Sequence, residues 1–465
     1  MDDKKLDQML DAALDGPPPE DVVRAVSPWR HAMSQVLWGL ALTSISLNFL
    51  LLNYILPSIG SALILLGFRT LQANRHFRLA YFSAMLRCAT QIAALFLAST
   101  VIRSETLDAV LVVLTALATF GITLGFWYGL LEARSGAGLE RHAPAAGWLM
   151  LWYAVTYVLA LISMAAGGSL SVVGILMLAA FVGIVVSLTR LSKQLDEAGY
   201  AVRTAQVRFT DGQLCALLAL VAAAGIALGL LCFGRFDMDW EAQPARGEDA
   251  QAVAEKLLEL GFPDYVLADL SDEDVLRCEL AEQIAANVRE FSLDDGSVLR
   301  STGVAVRLPN EESWYEHWVL IQHLDWQGEA SFRGTEGVEL FATNRVGRWW
   351  LDPKNEPHMR LLCTEGGESY TAAPAAEERG RDGCTFRFGF SFPQGAQGAR
   401  GYVCYGIQAS SALTDTVYSH MNYRHQETIL QYPVRTALEG GDAFRLFQDA
   451  LEFYTTEEGE VRFVS

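Results

Sequence analysis

The sequence has almost no charge where charge would mark transport. Between Met33 and Phe233 its acidic residues are Glu105, Asp108, Glu132, Glu140, Asp196, Glu197 and Asp211, all in loops or at the ends of apolar runs. An ionisable group in hydrocarbon is costly and marks an ion or substrate path, so a proton-coupled transporter buries a carboxylate. None is placed for that here. HExxH, GxSxG, P-loop and CxxC motifs are also missing, as is a DxD pair on a cytoplasmic loop. No catalytic residue, cofactor site or metal site is therefore assigned from sequence. The acidic stretch 233–465 has no basic cluster, which argues against nucleic acid and against adsorption to anionic lipid. The opening MDDKKLDQML has none of the layout of a cleavable signal peptide, so the first apolar segment is expected to serve as its own insertion signal.

What is present divides into two unlike halves. Residues 1–232 hold 15 Lys+Arg against 14 Asp+Glu, a net of +1, and residues 233–465 hold 20 against 40, a net of −20. The long apolar runs lie in the first half and the acidity in the second, the pattern of a membrane block followed by a water-exposed domain.

The apolar stretch 33–68 is 36 residues long. As one helix it would measure about 54 Å, against about 30 Å of bilayer hydrocarbon. It is expected to break near Asn53-Tyr54 or Pro57-Ser58-Ile59-Gly60 and fold into a hairpin. Its second leg, 55–68, is short enough to compete with a re-entrant segment. Further spans are expected at 79–102, 108–131, 147–166, 169–188 and 213–233, each near the ~20 residues a spanning helix needs. That makes about seven transmembrane helices. GxxxG spacings at Gly121/Gly125 and Gly225/Gly229 mark faces for close packing, within the chain in preference to a dimer.

Loop charge sets the orientation. The segments before the hairpin, after it, around 134–141 and around 190–208 carry 13 Lys and Arg, while the opposite loops carry Arg103 alone. By the positive-inside rule the N-terminus lies in the cytoplasm and the chain after Phe233 is extracytoplasmic. Before the membrane, Leu6, Met9, Leu10, Ala13 and Leu14 share one helical face, fit to rest on the bilayer or to dock a cytoplasmic protein partner. The domain boundaries so read are 1–32 (cytoplasmic amphipathic segment), 33–233 (transmembrane block), 234–296 (connector with two helices) and 297–465 (outer domain).

The outer domain opens with helical periodicity over 249–260. Ser271 is a candidate N-cap, with Asp274 three residues on, for a helix to about Val288. From Ser297 the period changes to two. In Cys384-Thr-Phe-Arg-Phe-Gly-Phe-Ser-Phe392 a cysteine and four phenylalanines fall on one face, a half-buried antiparallel strand. Strands are also expected at 298–307, 314–326, 338–343, 359–363, 401–409 and 416–423, and a closing helix at 442–454. Short strands with Gly/Pro/Asn turns describe an antiparallel β-sandwich, so the fold class is a polytopic α-helical membrane block followed by an α+β domain dominated by that sandwich.

Candidate functional residues are few. Arg87 is the one charge inside a span; it either lines a cavity with Gln91, one turn away, or snorkels to the surface. Trp314, Trp318, Trp349 and Trp350 form a candidate ligand surface, weighed against a core role. His317, His323 and Asp325 share a strand face, with His420 or His425 available from elsewhere. Two histidines six residues apart lie about 20 Å apart along a strand, too far for one ion. Cys278, Cys363, Cys384 and Cys404 permit disulfides, Cys363–Cys384 or Cys384–Cys404 among them. In outline the arrangement resembles bacterial seven-helix receptors with sensor and helices in the opposite order; no motif is matched, so no residue role follows. The expected function is non-enzymatic binding or sensing at the envelope surface. The alternative is a transporter or lipid-handling protein whose membrane block is the active part.

Overall fold

The computed structural model describes residues 28–44, 51–166, 171–200, 209–293, 296–309, 315–328, 331–343, 349–410, 416–428, 431–456 and 460–464. The amphipathic segment before Pro28 lies outside them. Two compact units emerge, one from Met1–Leu97 and Ile102–Leu228, the other from Ala98–Val101 and Gly229–Ser465.

The first unit is helical: α1 (Pro28–Ser44), α2 (Leu52–Leu71), α3 (Arg75–Leu97), α4 (Glu105–Gly136), α5 (Pro144–Ala166), α6 (Ser171–Glu197) and α7 (Asp211–Phe233). Six helices, α2 to α7, are long and apolar enough to cross a membrane, and α1 is 17 residues long. The second helix of the hairpin begins at Leu52, ahead of the expected break. Asn53, Pro57 and Gly60 all lie inside α2. Pro57 is tolerated near the helix start, where Ser58 Oγ donates to Tyr54 O at 2.7 Å. Gly60 is there for packing: a Cβ on it would lie 2.7 Å from Gly39 O, so α1 and α2 touch backbone to backbone. The second leg is thus a 20-residue helix, longer than expected. Gly121 and Gly125 do the same work between α4 and α3, where a Cβ on Gly125 would meet Ala80 N and His76 O at 2.7 Å. That GxxxG face packs within the chain.

The last of these helices is capped by Thr210, one residue before its start at Asp211. Thr210 Oγ1 accepts from Gln213 N at 3.2 Å and Gln213 Oε1 accepts from Thr210 N at 2.9 Å, a reciprocal capping box. Asp211 is released to pair with Arg69 Nη1 at 3.1 Å, and the largely buried Arg69 also donates to Phe209 O.

The second unit has three layers. An eight-stranded antiparallel sheet runs in the order β1 (Glu241–Ala242), β8 (Glu368–Ala372), β7 (His358–Glu365), β11 (Gln397–Ser410), β4 (Tyr315–Gln327), β3 (Val298–Leu308) and β2 (Gln283–Ser292), with β6 (Trp349–Leu351) beside β11. A six-stranded sheet runs β14 (Val461–Phe463), β13 (Phe444–Thr455), β12 (Val417–Gln426), β5 (Glu336–Phe341), β10 (Thr385–Phe390) and β9 (Ala376–Arg379). Between the sheets lies a core of Trp318, Leu320, Leu340, Phe386, Phe388, Phe390, Val403, Tyr405 and Phe453 among others. On the far side of the larger sheet, α8 (Glu248–Glu259), α9 (Asp264–Asp269) and α10 (Asp272–Arg277) cover a second core through Leu257, Val266, Val275, Val304, Ile321, Tyr402 and Cys404.

One expected helix is cut short by a strand and another is a strand throughout. The helix opened by Ser271 stops at Arg277 and 283–292 becomes β2, paired residue for residue with β3. The segment 442–454 becomes β13, in which Phe447, Leu451 and Phe453 are buried and Leu446 is exposed. Its apolar residues satisfy both periods, and pairing with β12 decides for the strand. Cys278, Cys363, Cys384 and Cys404 are all free thiols, and Cys363 in β7 and Cys384 before β10 belong to different sheets.

Candidate functional site

Antiparallel pairing of β7 with β11 sets Cys404 opposite His358 and Tyr402 opposite Arg360. By the two-residue period these four point to one face of the sheet, while Met359, Val403 and Tyr405 point into the sandwich. Against that face stands α10, whose N-terminus is built as the capping motif requires. Ser271 Oγ accepts from Asp274 N at 3.1 Å. The reciprocal half is replaced: Ser271 N donates to Tyr402 Oη at 2.9 Å, and the Asp274 side chain turns toward the sheet.

Asp274, with its side chain 2% exposed, is the hub. Its Oδ2 accepts from Tyr402 Oη at 2.7 Å and Ser271 Oγ at 2.6 Å; its Oδ1 lies 2.9 Å from His358 Nε2 and 3.3 Å from Arg277 Nη1. Arg277 Nη2 continues to Glu273 Oε1 at 2.6 Å. Burial opposes the charge on Asp274, but His358, Ser271 and Tyr402 outweigh it and hold the carboxyl well below the usual range. Burial likewise opposes charge on His358, yet the bond to Asp274 prevails and raises its pKa. Burial and the neighbouring Asp274 charge push the Tyr402 phenol and the Cys404 thiol up, and burial pushes the Cys278 thiol up to about 12.

This cluster forms part of the wall of an open cleft of about 1020 Å³ between α10, the β7–β8 edge and the incoming chain. Asp237, Asp239, Glu241, Glu273 and Glu356 line it beside Asp274, against Arg277, Arg360 and His358. Asp274, His358 and Cys404 each offer one ligand atom, and these atoms lie within 4.8 Å of one another.

The residues singled out from sequence do not meet at one place. Trp314 lies outside the described residues. Trp318 and Trp349 are buried in the sandwich core. Trp350 is 38% exposed, edge-on to Tyr315 at 5.0 Å, with its Nε1 donating to Gln408 Oε1 at 2.9 Å. In the helical unit Arg87 and Gln91 diverge, Arg87 Nη1 to Thr119 Oγ1 on α4 at 2.5 Å and Gln91 Nε2 to Ser58 Oγ on α2 at 3.2 Å. Gln91, without Arg87, borders a crevice of about 300 Å³ between α2, α3 and α7, otherwise lined almost wholly by apolar groups such as Ile59, Leu66, Ile92 and Leu218.

The histidine set read from β4 is likewise dispersed. His323 Nε2 meets Asp269 Oδ2 at 2.9 Å, which Arg400 also holds, and Asp325 pairs with Arg300 at 2.5 Å. His425 lies against Glu336 at 3.0 Å, and His420 against Asn422 at 2.8 Å. Sequence reasoning took Asp274 only as a cap and passed over His358, Tyr402 and the Asp237-Met238-Asp239 pair. The usable signals were two: that acidic pair in the connector, and the alternation of His358 with Arg360.

Fold and site together define a multi-pass membrane protein that carries a two-sheet β-rich domain with a charged cleft. No family model and no curated protein matches the chain. Among solved structures, a pore-forming protein is 6% identical over 39% of this chain and 95% of that chain, with a TM-score of 0.23. The Clostridium perfringens delta-toxin is 9% identical over 40% and 94%, with a TM-score of 0.21. A collagen-binding domain from a Staphylococcus aureus adhesin is 9% identical over 31% and 91%, with a TM-score of 0.18. At these scores the likenesses carry no functional argument.

Proposed function

We propose that this is an envelope binding or sensing protein, anchored by its helices, with the β-rich domain outside the cytoplasm and the cleft beside Asp274 as its ligand site. The observation that carries the reading is the cleft itself, about 1020 Å³ and open, with charged side chains converging from α10, β7 and the connector. Six carboxylates against two arginines and one histidine give it a negative potential, which favours a small polar ligand bearing positive charge.

The orientation rests on the loop charges, and the packing supports it. Arg69 meets Asp211, Arg134 Nη1 meets Gln194 Oε1 at 3.0 Å, and Trp29 Nε1 meets Ser192 O at 3.3 Å. The Lys/Arg-rich helix ends therefore gather at one end of the bundle, the cytoplasmic end by the positive-inside rule. Binding is favoured over catalysis because burial pushes the Cys404 thiol away from the thiolate a nucleophile needs. The rival reading, a lipid-handling membrane block, draws on the crevice beside Gln91, whose apolar lining suits an acyl chain better than an ion.

Two measurements test the proposal. A periplasm-active reporter fused after Ser465 is expected to be active; activity of a cytoplasm-dependent reporter there overturns the orientation. For the cleft, the full chain in detergent is titrated with spermidine, with glutamate as the anionic control. Spermidine is expected to raise the melting temperature, and Asp239→Asn with Glu241→Gln to abolish the shift. No shift with the wild-type chain, or a shift unchanged in the double variant, overturns the cleft as the site.

A further inference from the structure

We infer that Asp274, His358 and Cys404 form a binding site for a thiophilic divalent cation of the zinc type, set in the wall of the cleft. The donor set is one carboxylate oxygen, one imidazole nitrogen and one sulfur, the mixed N/O/S ligation zinc accepts. Their ligand atoms already lie within 4.8 Å of one another. A tetrahedral ion with bonds of about 2.0–2.3 Å holds its ligands about 3.3–3.8 Å apart, so closing on an ion takes only small side-chain movement. Two of the three are fixed in relative position by a ladder register, Cys404 against His358, and the third by a capped helix start.

The surroundings suit such a site. Asp274 Oδ2 is held by Ser271 and Tyr402, and Oδ1, which faces His358 Nε2 at 2.9 Å and Arg277 Nη1 at 3.3 Å, is the oxygen that meets the ion, with Arg277 swinging aside toward Glu273. His358 Nε2 faces Oδ1 at 2.9 Å, so the ion takes the place of the proton they share, and that proton leaves to solvent. The other ring nitrogen, Nδ1, lies 3.3 Å from Arg277 Nη1 and 3.4 Å from Glu356 O, the latter the kind of acceptor that orients a metal-bound imidazole once Arg277 turns to Glu273. Arg277 opposes a cation, but Glu273 at 2.6 Å neutralises it, and Asp237, Asp239 and Glu356 add negative charge around the cleft. Cys404 binds as the thiolate, so its thiol proton also leaves to solvent when the ion enters. Asp274 and His358 line the cleft, which can supply the water or ligand that completes the shell, while Cys404 binds from the buried side.

The inference rests on the cleft being a working site, and metal analysis separates the two. The full chain in detergent is stripped with a chelator and titrated with Co²⁺. It is expected to bind about one equivalent with a thiolate-to-cobalt charge-transfer band that Zn²⁺ abolishes. Cys404→Ser is expected to remove the band, and His358→Ala to weaken binding at least 10-fold. The His358 side chain is 37% exposed, so its variant reports on binding in a folded protein. Failure to bind cobalt, or a band and affinity unchanged in both variants, overturns the site. Spermidine binding to metal-free protein without cobalt binding would sink the metal and leave the cleft reading standing.

Discussion

Tyr402→Phe removes one oxygen from a site where that oxygen does two things. The Tyr402 side chain is fully buried; its hydroxyl donates to Asp274 Oδ2 at 2.7 Å and accepts from Ser271 N at 2.9 Å. The first is a hydrogen bond to a charged group, about 1.5–3 kcal/mol; the second is a neutral one, about 0.5–1.5 kcal/mol. Phenylalanine keeps the ring in place, so the loss is about 2–4 kcal/mol, charged to the docking of α10 on the sheet. Hydrogen exchange of the full chain in detergent, read by mass spectrometry on peptides from α10 and β7, measures that docking. At 1.4 kcal/mol per decade, exchange there should speed up roughly 30- to 1,000-fold. Tyr370→Phe is the control, because its hydroxyl reaches only an exposed Glu368 at 3.5 Å and should move exchange little. Cobalt affinity should fall about 10- to 100-fold in the same variant, since Asp274 loses a partner that orients it. A Tyr402→Phe change in exchange below about 0.5 kcal/mol, no larger than that of an ordinary surface substitution, refutes the claim that this hydroxyl ties helix to sheet.

Three further predictions follow from other parts of the molecule. Glu339 lies between Arg387 Nε at 2.8 Å and Arg424 Nη2 at 2.9 Å; burial opposes its charge, but the arginines prevail and its pKa is lowered. Its contribution to stability is therefore complete above the unfolded value of about 4.3 and lost as pH falls through the folded value, so in acid titrations by circular dichroism Glu339→Gln should flatten that limb. Phe388, buried between the two sheets, should cost about 3–5 kcal/mol as Phe388→Ala in denaturant unfolding of the β unit. Gly125→Leu cannot be accommodated where even a Cβ would lie 2.7 Å from Ala80 N and His76 O, and should separate α3 from α4, seen as loss of folded protein in detergent chromatography.

How much of this was legible depended on how local the deciding interaction was. The strand through Phe386, Phe388 and Phe390 was plain because its alternation is strict and all three rings are buried. The Ser271 cap was plain for the same reason, a bond spanning three residues. The close packing of Gly121 and Gly125 was legible because small residues four apart have few other uses in an apolar helix. β13 was misread because its apolar residues satisfy both periods, and only the partner strand β12 decides between them. The hairpin break was misplaced because proline and glycine are ambiguous marks, and Gly60 serves close approach to α1. The site was the least legible part. His358, Tyr402 and Cys404 come together by the register of β7 on β11 and meet Asp274 through a helix packed on that sheet. None of those pairings leaves a periodic trace in the chain.

The two faces of β11 explain why the proposed site sits where it does. Val403, Tyr405 and Ile407 go to the sandwich and face the other sheet, where a buried carboxylate must be tied off fully, as Glu336 is by His425 and Tyr423. Tyr402 and Cys404 go the other way, onto a face that a bare two-sheet sandwich would leave in water. The short helices α8 to α10 cover that face only in part. They bury Cys404 and Tyr402 completely but leave His358 and Arg277 reaching the cleft. A group such as Asp274 is thereby desolvated enough for its charge to act strongly, yet remains one side chain from solvent. A dry core denies access and an open surface screens the charge, so this half-covered layer is the part of the domain where recognition of a charged ligand is physically cheapest.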